Sequence, residues 1–193
     1  MCVSGCLRCV GLMLVPLAVV CMLANVLLLL PGLQVHFLLE GHVTREATWA
    51  TGLWGSGLLV RADCVCACVC VCVGGQLVYS CVCVLAAGFC SLVSGTGLVN
   101  GPLCLHNTSS GPAWGVPFKT TGDGGQVYLF ERSLWSSVCL QPAGVVQWNV
   151  TLFSVLGGAS ALQTLLCTAN ILNTLLILLI NTCGCHGNIY QRN

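Results

Sequence analysis

The chain has 193 residues, of which 56% are hydrophobic and only 6% are charged, and its formal net charge is +1. Its mean hydropathy is +0.93. Soluble globular domains carry about 25% charged residues, so this chain has too few charges to cover the surface of one. It also lacks a basic cluster interleaved with aromatic residues, which excludes a nucleic-acid-binding surface. The composition predicts a polytopic membrane protein folded as one compact bundle.

Residues 1–9 form a short N-terminal segment, and residues 10–30 form the first long apolar run. A helix rises about 1.5 Å per residue and needs about 20 apolar residues to cross a bilayer. A cleaved signal peptide is the alternative, but its apolar region would be only about 7–15 residues long. We therefore predict a first transmembrane helix at 10–30. Its polar Asn25 makes either an interhelical hydrogen bond or a ligand contact.

Residues 31–46 contain Glu40, Arg45 and Glu46. These charges predict a small aqueous loop. Residues 47–60 are apolar, but there are only 14 of them before the next charge. This run is short for a bilayer span, so we predict a truncated second transmembrane helix. Its Gly52 and Ser56 form a small-residue face suited to close helix packing.

Residues 61–77 are dominated by cysteine and valine, which alternate from Cys64 to Val73 with one alanine among them. A metal-thiolate tract is one interpretation. Zinc ligands, however, are usually paired across about two to four residues, with turns that close a tetrahedron. Cysteines at alternate positions of a strand point one way and offer no such closure. We predict no metal and no cofactor.

Alternating TGT and GTG codons arise when a TG dinucleotide repeat is translated. We therefore interpret the cysteine–valine stretch as an aberrant segment, derived from a microsatellite or a retained intron. Sequencing of the mature transcript across 61–87 tests this interpretation, and an uninterrupted coding exon there would contradict it.

Residues 78–99 predict a third transmembrane helix, and residues 100–147 form the long polar segment of the chain. This large loop contains two cysteines, an even number in a segment that would face an oxidising compartment. We predict a disulfide between them, Cys104 and Cys139. N-glycosylation acceptor sequences occur at Asn107 and at Asn149, where the second borders the membrane and is less accessible to the transferase.

Residues 150–180 contain no Asp, Glu, Lys, Arg or His. We predict a fourth transmembrane helix at 148–180, followed by a polar tail at 181–193. Trp148 stands at its start, where interfacial aromatic residues collect. No ionisable residue lies inside any predicted span, so a proton relay or ion site has no obvious carrier.

Polar and small side chains mark the packing face of the fourth span. Gly157 and Ala161 have the spacing of closely packed membrane helices. Asn170 and Asn173 share one helix face. Interhelical hydrogen bonds are the simpler role for this pair, and a transport path is the alternative.

Basic residues flank the spans equally on both sides, so the positive-inside rule does not set the orientation. The glycan acceptor and the cysteine pair place 100–147 outside the cytosol, and four spans then place both termini inside it. The cytosolic juxtamembrane cysteines are candidates for S-palmitoylation: Cys2, Cys6, Cys9, Cys183 and Cys185. The predicted fold class is an all-α membrane protein with four transmembrane helices in a bundle, in which the second span and the following loop are irregular.

Five short motifs occur in order along the chain: Met1-Cys2-x-x-x-Cys6-x-Arg8-Cys9, Ala24-Asn25-x-Leu27-Leu28, Asn100-Gly101-Pro102-x-Cys104-Leu105, Trp114-Gly115-x-Pro117-Phe118 and Trp148-Asn149-Val150-Thr151-Leu152-Phe153-Ser154. Together they resemble the transmembrane 4 L-six family over residues 1–60 and 88–185. The chain departs from the family pattern at 61–87, where the family has a charged cytosolic loop with Cys-Cys-Gly clusters.

The resemblance implies a tetraspanin-like protein of the plasma membrane or the endolysosomal membrane. It implies a non-enzymatic scaffold that contacts membrane lipids and organises integrins, growth-factor receptors or transporters laterally. Such a scaffold could also assemble as a homo-oligomer. Such a scaffold would influence adhesion, motility and growth signalling. A small channel or transporter subunit is the alternative. The sequence shows no catalytic triad, phosphate loop or paired intramembrane carboxylates, so we predict no catalytic residue.

Overall fold

Three long helices form the body of the protein in a computed structural model that describes residues 2–61, 73–108, 111–118 and 127–190. The first helix is Cys2–Leu29, the middle helix is Val73–Asn100 and the last helix is Val145–Tyr190. Each contains a stretch long and apolar enough to cross a membrane: Leu12–Leu29, Leu77–Asn100 and Val145–Ile180. The prediction of a helical, multi-pass membrane protein is confirmed.

Each of the three helices extends beyond its predicted span at one end or at both. The first begins at Cys2 rather than residue 10, and the last continues to Tyr190, through most of the predicted polar tail. A change from apolar to polar composition does not interrupt backbone hydrogen bonding, whereas Pro or a left-handed Gly does. The stretches long and apolar enough to cross a membrane therefore lie within longer helices.

The second segment, residues 45–61, is irregular, as predicted. It consists of Arg45–Thr48, a left-handed Ala50 at φ 52°, Thr51–Leu53 and a π-helical turn at Trp54–Leu59. A residue other than glycine rarely adopts positive φ, and here it divides the segment into two short pieces. Within the described ranges, this segment does not reach the length of a membrane-crossing helix.

Small side chains bring the membrane segments close together. The last helix packs against both the first and the middle helix, and the second segment packs against those two as well. Two buried clusters fill the interior, one around Cys21, Ala24, Cys90, Phe153 and Leu156 and the other around Leu14, Val60, Cys83, Ala87 and Cys167. Membrane helices associate through such close van der Waals contact, because lipid supplies no hydrophobic force between them.

The large loop adds a feature that the all-α prediction lacked, a two-stranded antiparallel hairpin. Strand β1 (Cys104–Thr108) pairs with strand β2 (Gly111–Gly115), and Leu105 forms an isolated bridge to Gln141. Neither strand alternates cleanly between apolar and polar residues, so periodicity did not reveal the hairpin. Two single-turn helices, Val127–Phe130 and Leu134–Ser137, complete the described part of the loop.

The small loop is folded rather than open. It contains a 3-10 turn at Pro31–Leu33 and a short helix at Val35–Leu39 before the second segment begins. Phe37 is buried, although the stretch was predicted only as an aqueous connection. Its burial results from contact with the large loop, which is described next.

The candidate interaction surface

The large loop has a core of its own next to the start of the last helix. Cys104 and Cys139 form the predicted disulfide, and its Cα atoms lie 5.6 Å apart. Phe118 stacks on Tyr128 with ring centroids 4.3 Å apart, and both side chains pack with Val146 of the last helix. The large loop is therefore attached to the last helix by a hydrophobic cluster as well as by the chain.

Tyr128 attaches this core to the middle helix. Its side chain is 1% exposed, and its hydroxyl donates a hydrogen bond to the Leu98 carbonyl oxygen. Burial raises the pKa of Tyr128 to about 12, since the low-dielectric surroundings disfavour the phenolate. The hydroxyl therefore keeps its proton and its hydrogen bond at neutral pH.

The small loop packs on the hairpin through aromatic rings. The His42 ring stacks on Trp114 with centroids 3.8 Å apart and planes 5° apart, and Phe37 meets the same indole edge-on at 6.2 Å. His42 Nδ1 also lies 3.2 Å from Glu40 Oε2. The two loops thus form one folded unit, which we call the head.

Three polar side chains at the loop end of the bundle donate hydrogen bonds to other segments, and the third of them joins two helices of the bundle itself. Asn149 Nδ2 donates to Thr44 Oγ1 at 2.9 Å, and Asn100 Nδ2 donates to Glu46 Oε1 at 2.7 Å. Trp148 Nε1 donates to the Leu27 carbonyl oxygen at 3.0 Å. In the sequence, Trp148 was recognised only as an interfacial aromatic residue.

The two glycosylation candidates lie in different environments. Asn107 is exposed on β1, and it stays a predicted acceptor. Asn149 is 5% exposed, and its amide nitrogen, the atom that would carry the sugar, is used in the bond to Thr44. This burial argues against a glycan at Asn149 in the folded protein, because a branched sugar needs open solvent at that atom.

The predicted packing residues of the first helix and the second segment lie together. A Cβ on Gly52 would be 2.8 Å from each of the Asn25 Cβ, the Cys21 carbonyl oxygen and the Leu156 Cδ1. Asn25 is 1% exposed, and its amide makes no hydrogen bond within the described ranges. Ser56 is fully buried, and its carbonyl oxygen accepts a hydrogen bond from Gln163 Nε2 at 3.0 Å.

Some of the predicted packing residues of the last helix face the middle helix, and others do not. A Cβ on Gly157 would lie 3.3 Å from the Ser94 Cβ, whereas Ala161 is half-buried. Asn170 is 8% exposed, and its Nδ2 donates to Ser80 Oγ at 3.3 Å. Asn173 is half-buried, so the two asparagines differ in environment although they share a face.

The five acylation candidates lie on helical backbone, in the first turns of the first helix and near the end of the last helix. Their side chains lie outside the described part of the structure, and their acylation stays a prediction. Most of the cysteine–valine stretch, at 62–72, also lies outside it. Among the side chains that the structure does describe, no three His, Cys, Asp or Glu residues come together as a metal site.

Sequence reasoning missed the contacts that join the two loops. His42, Thr44 and Trp114 carry no local pattern that pairs them, since each contact joins residues far apart in the chain. The motif that contains Trp114 was the one available signal, and it marked the residue without identifying its partner.

Comparison with known proteins identifies the family. The family model described as L6 membrane protein matches residues 1–184. Human transmembrane 4 L6 family member 19 is 38% identical over 92% of this chain and 93% of its own length. Human member 5 is 36% identical over 90% of this chain and 91% of its own length, and human member 1 is 32% identical over 99% and 100%. No solved structure matches the chain. With this match and the three membrane-crossing helices, the chain belongs to the L6 membrane protein family and is an integral, multi-pass membrane protein.

Proposed function

We propose that this protein is a non-enzymatic scaffold that organises other membrane proteins laterally. Integrins, growth-factor receptors and transporters are the proposed partners, and adhesion, motility and growth signalling are the proposed outcomes. The plasma membrane is the proposed site, with the large loop outside the cell. Acylation of the cytosolic cysteines would strengthen the association with the membrane.

The observation that carries the proposal is the combination of a folded head with a bundle whose outer faces are apolar. Leu85 and Leu92, one heptad apart on the middle helix, are 74% and 71% exposed. Leu165 and Leu172, one heptad apart on the last helix, are 68% and 62% exposed. Such faces contact lipid or the helices of partners, while the head offers a folded surface above the bilayer.

The test is native-detergent co-purification of the tagged full-length chain from cells, followed by identification of the bound membrane proteins. We expect receptors or transporters to co-purify. Two matched variants locate the contact: Leu85→Ala with Leu92→Ala alters the middle helix, and Leu165→Ala with Leu172→Ala alters the last helix. A partner held by one face is lost with one variant only. A chain that is always a solitary monomer would contradict the proposal.

The structure offers less support for a channel or transporter subunit. Asn170, one of the two asparagines that motivated this alternative, donates a hydrogen bond across a helix interface, and so does Gln163 on the same helix. Solute flux in liposomes that is abolished by replacing Asn170 and Asn173 with Leu would favour the alternative. Loss of stability without flux would fit a packing role.

A further inference from the structure

A groove lies where the large loop meets the last helix. Its volume is about 780 Å³, and its described walls include Arg132, Trp135, Leu140, Gln147 and Thr151. Ligand sites typically measure about 300–1,000 Å³ and combine apolar walls with a few polar groups. Neither the packing of the bundle nor the proposed scaffold role uses this groove.

The groove lies at the end of the last helix where its apolar stretch begins. The membrane-crossing stretch of the last helix begins at Val145, so Gln147 and Thr151 lie within its first two turns. Both are exposed, and residues four apart lie above one another on a helix face. The same face continues into the membrane with Val155 and Leu162, which are 43% and 46% exposed. The surface is thus polar at the membrane border and apolar below it.

A cationic side chain, Arg132, lies at the end of this surface nearest the large loop. The Arg132 guanidinium carbon lies 6.0 Å from the centre of the Trp135 ring, and Arg132 is exposed. In the part of the chain that the structure describes, no carboxylate lies within ion-pair distance of Arg132. A guanidinium presents its donors in a planar fork that matches a phosphate.

The wall that carries the cation is held in place. Trp135 Nε1 donates to the Tyr128 carbonyl oxygen at 2.6 Å, and Cys139 is fixed by its disulfide. Two side chains of this wall are therefore already fixed before a ligand binds, which lowers the free-energy cost of ordering the site.

We propose that this groove binds one phospholipid from the leaflet on the loop side of the membrane. Arg132 donates hydrogen bonds to the phosphate, and Gln147 and Thr151 donate hydrogen bonds to the phosphate or the glycerol-ester oxygens. One acyl chain packs along Val155 and Leu162. The positive charge of Arg132 selects a ligand with a phosphate-bearing headgroup. The apolar side chains of Val155 and Leu162 select a ligand that also carries a long acyl chain.

The test measures lipid retained by the purified full-length protein in native mass spectrometry. The detergent micelle is supplied with phosphatidylcholine, with diacylglycerol, which lacks the phosphate, or with glycerophosphocholine, which lacks the chains. We expect the parent protein to retain phosphatidylcholine and neither of the others. Arg132→Gln should lower retention about tenfold, because it removes a charge-assisted hydrogen bond.

Arg45→Gln is the matched control, because Arg45 borders a separate cavity of about 180 Å³. It should retain phosphatidylcholine like the parent. If Arg132→Gln does not yield a monodisperse protein, Arg132→Lys and Thr151→Val replace it, and each should give partial retention. Equal retention by Arg132→Gln and the parent would overturn the proposal. Equal binding of diacylglycerol, or of glycerophosphocholine alone, would overturn it as well.

Discussion

Two glycines of the middle helix show how the consequence of one methyl group depends on its surroundings. A Cβ on Gly97 would lie 2.6 Å from the Cζ of Phe153, a ring that is 1% exposed and belongs to a buried cluster. A Cβ on Gly95 would meet nothing within 4 Å. Composition alone does not distinguish these two positions.

Gly97→Ala should therefore destabilise the protein by about 1–3 kcal/mol, because the Phe153 ring has little room to move. Gly95→Ala, two residues away on the same helix, is the control and should be close to neutral. The measurement is the fraction of monodisperse protein left after heating in detergent. Equal losses for the two variants would contradict the packing described here.

Tyr128 allows a prediction about pH at the same scale. Its pKa in the folded protein is about 12, above its ordinary value of 10.0. A group whose folded pKa is raised contributes stability that is complete below the unfolded pKa and is lost as pH rises through the folded value. The contribution of Tyr128 should therefore be full below pH 10 and lost between about pH 10 and pH 12.

Tyr128→Phe should remove that loss, together with a component of the tyrosinate absorbance that titrates near pH 12. The readout is the absorbance titration of the parent protein minus that of the variant. A difference spectrum that titrates near the ordinary tyrosine pKa would show that the Tyr128 hydroxyl is accessible to solvent.

At the scale of elements, the head depends on contacts between segments that are separate in sequence. The hairpin, the single-turn helices and the small loop are each too short to be stable alone. The disulfide, the Trp114–His42 stack and the Tyr128–Leu98 hydrogen bond join them. Loss of one connection should loosen the head without unfolding the helices.

Replacing Cys104 and Cys139 together by Ser should lower the stability of the head by about 3–4 kcal/mol, since the disulfide spans 35 residues. We expect proteases added on the loop side of proteoliposomes to cut the large loop faster, while the helical circular dichroism is kept. Cys81→Ser, at an exposed cysteine of the middle helix, is the control. Unchanged cleavage of the double variant would show that the hydrophobic cluster alone holds the loop.

At the scale of the whole molecule, a glycan would report which side of the membrane carries the head. Only one of the two acceptor sequences is exposed in the fold, and it lies on the hairpin. We predict that this acceptor, Asn107, carries a glycan in cells, which would place the head outside the cytosol.

Asn107→Gln should abolish a mobility shift that glycosidase treatment also removes, whereas Asn149→Gln should leave the shift unchanged. The measurement is gel mobility of the chain expressed in mammalian cells. A shift that disappears only with Asn149→Gln would mean that the sugar is attached before the Thr44 bond forms. No shift in any sample would remove the support that Asn107 gives to this orientation.

The sequence by itself determined that lipid is the solvent of this protein and that the chain contains three long apolar helices. Long runs without charge belong in lipid whatever their partners are, so 10–30, 78–99 and 148–180 were predictable from local composition. The irregular second segment was predictable for the same reason, since its apolar run is too short. The pairing of Cys104 with Cys139 followed from their being the only cysteines of one loop.

Only the tertiary structure decided how the loops and the packing faces meet. The stacking of His42 on Trp114, the burial of Asn149 against Thr44 and the contact of Gly97 with Phe153 each join residues that local patterns do not connect. Hydropathy records how each residue interacts with its solvent, and that property is local. Close packing depends on which backbone lies opposite, and that is settled only when the whole chain has folded.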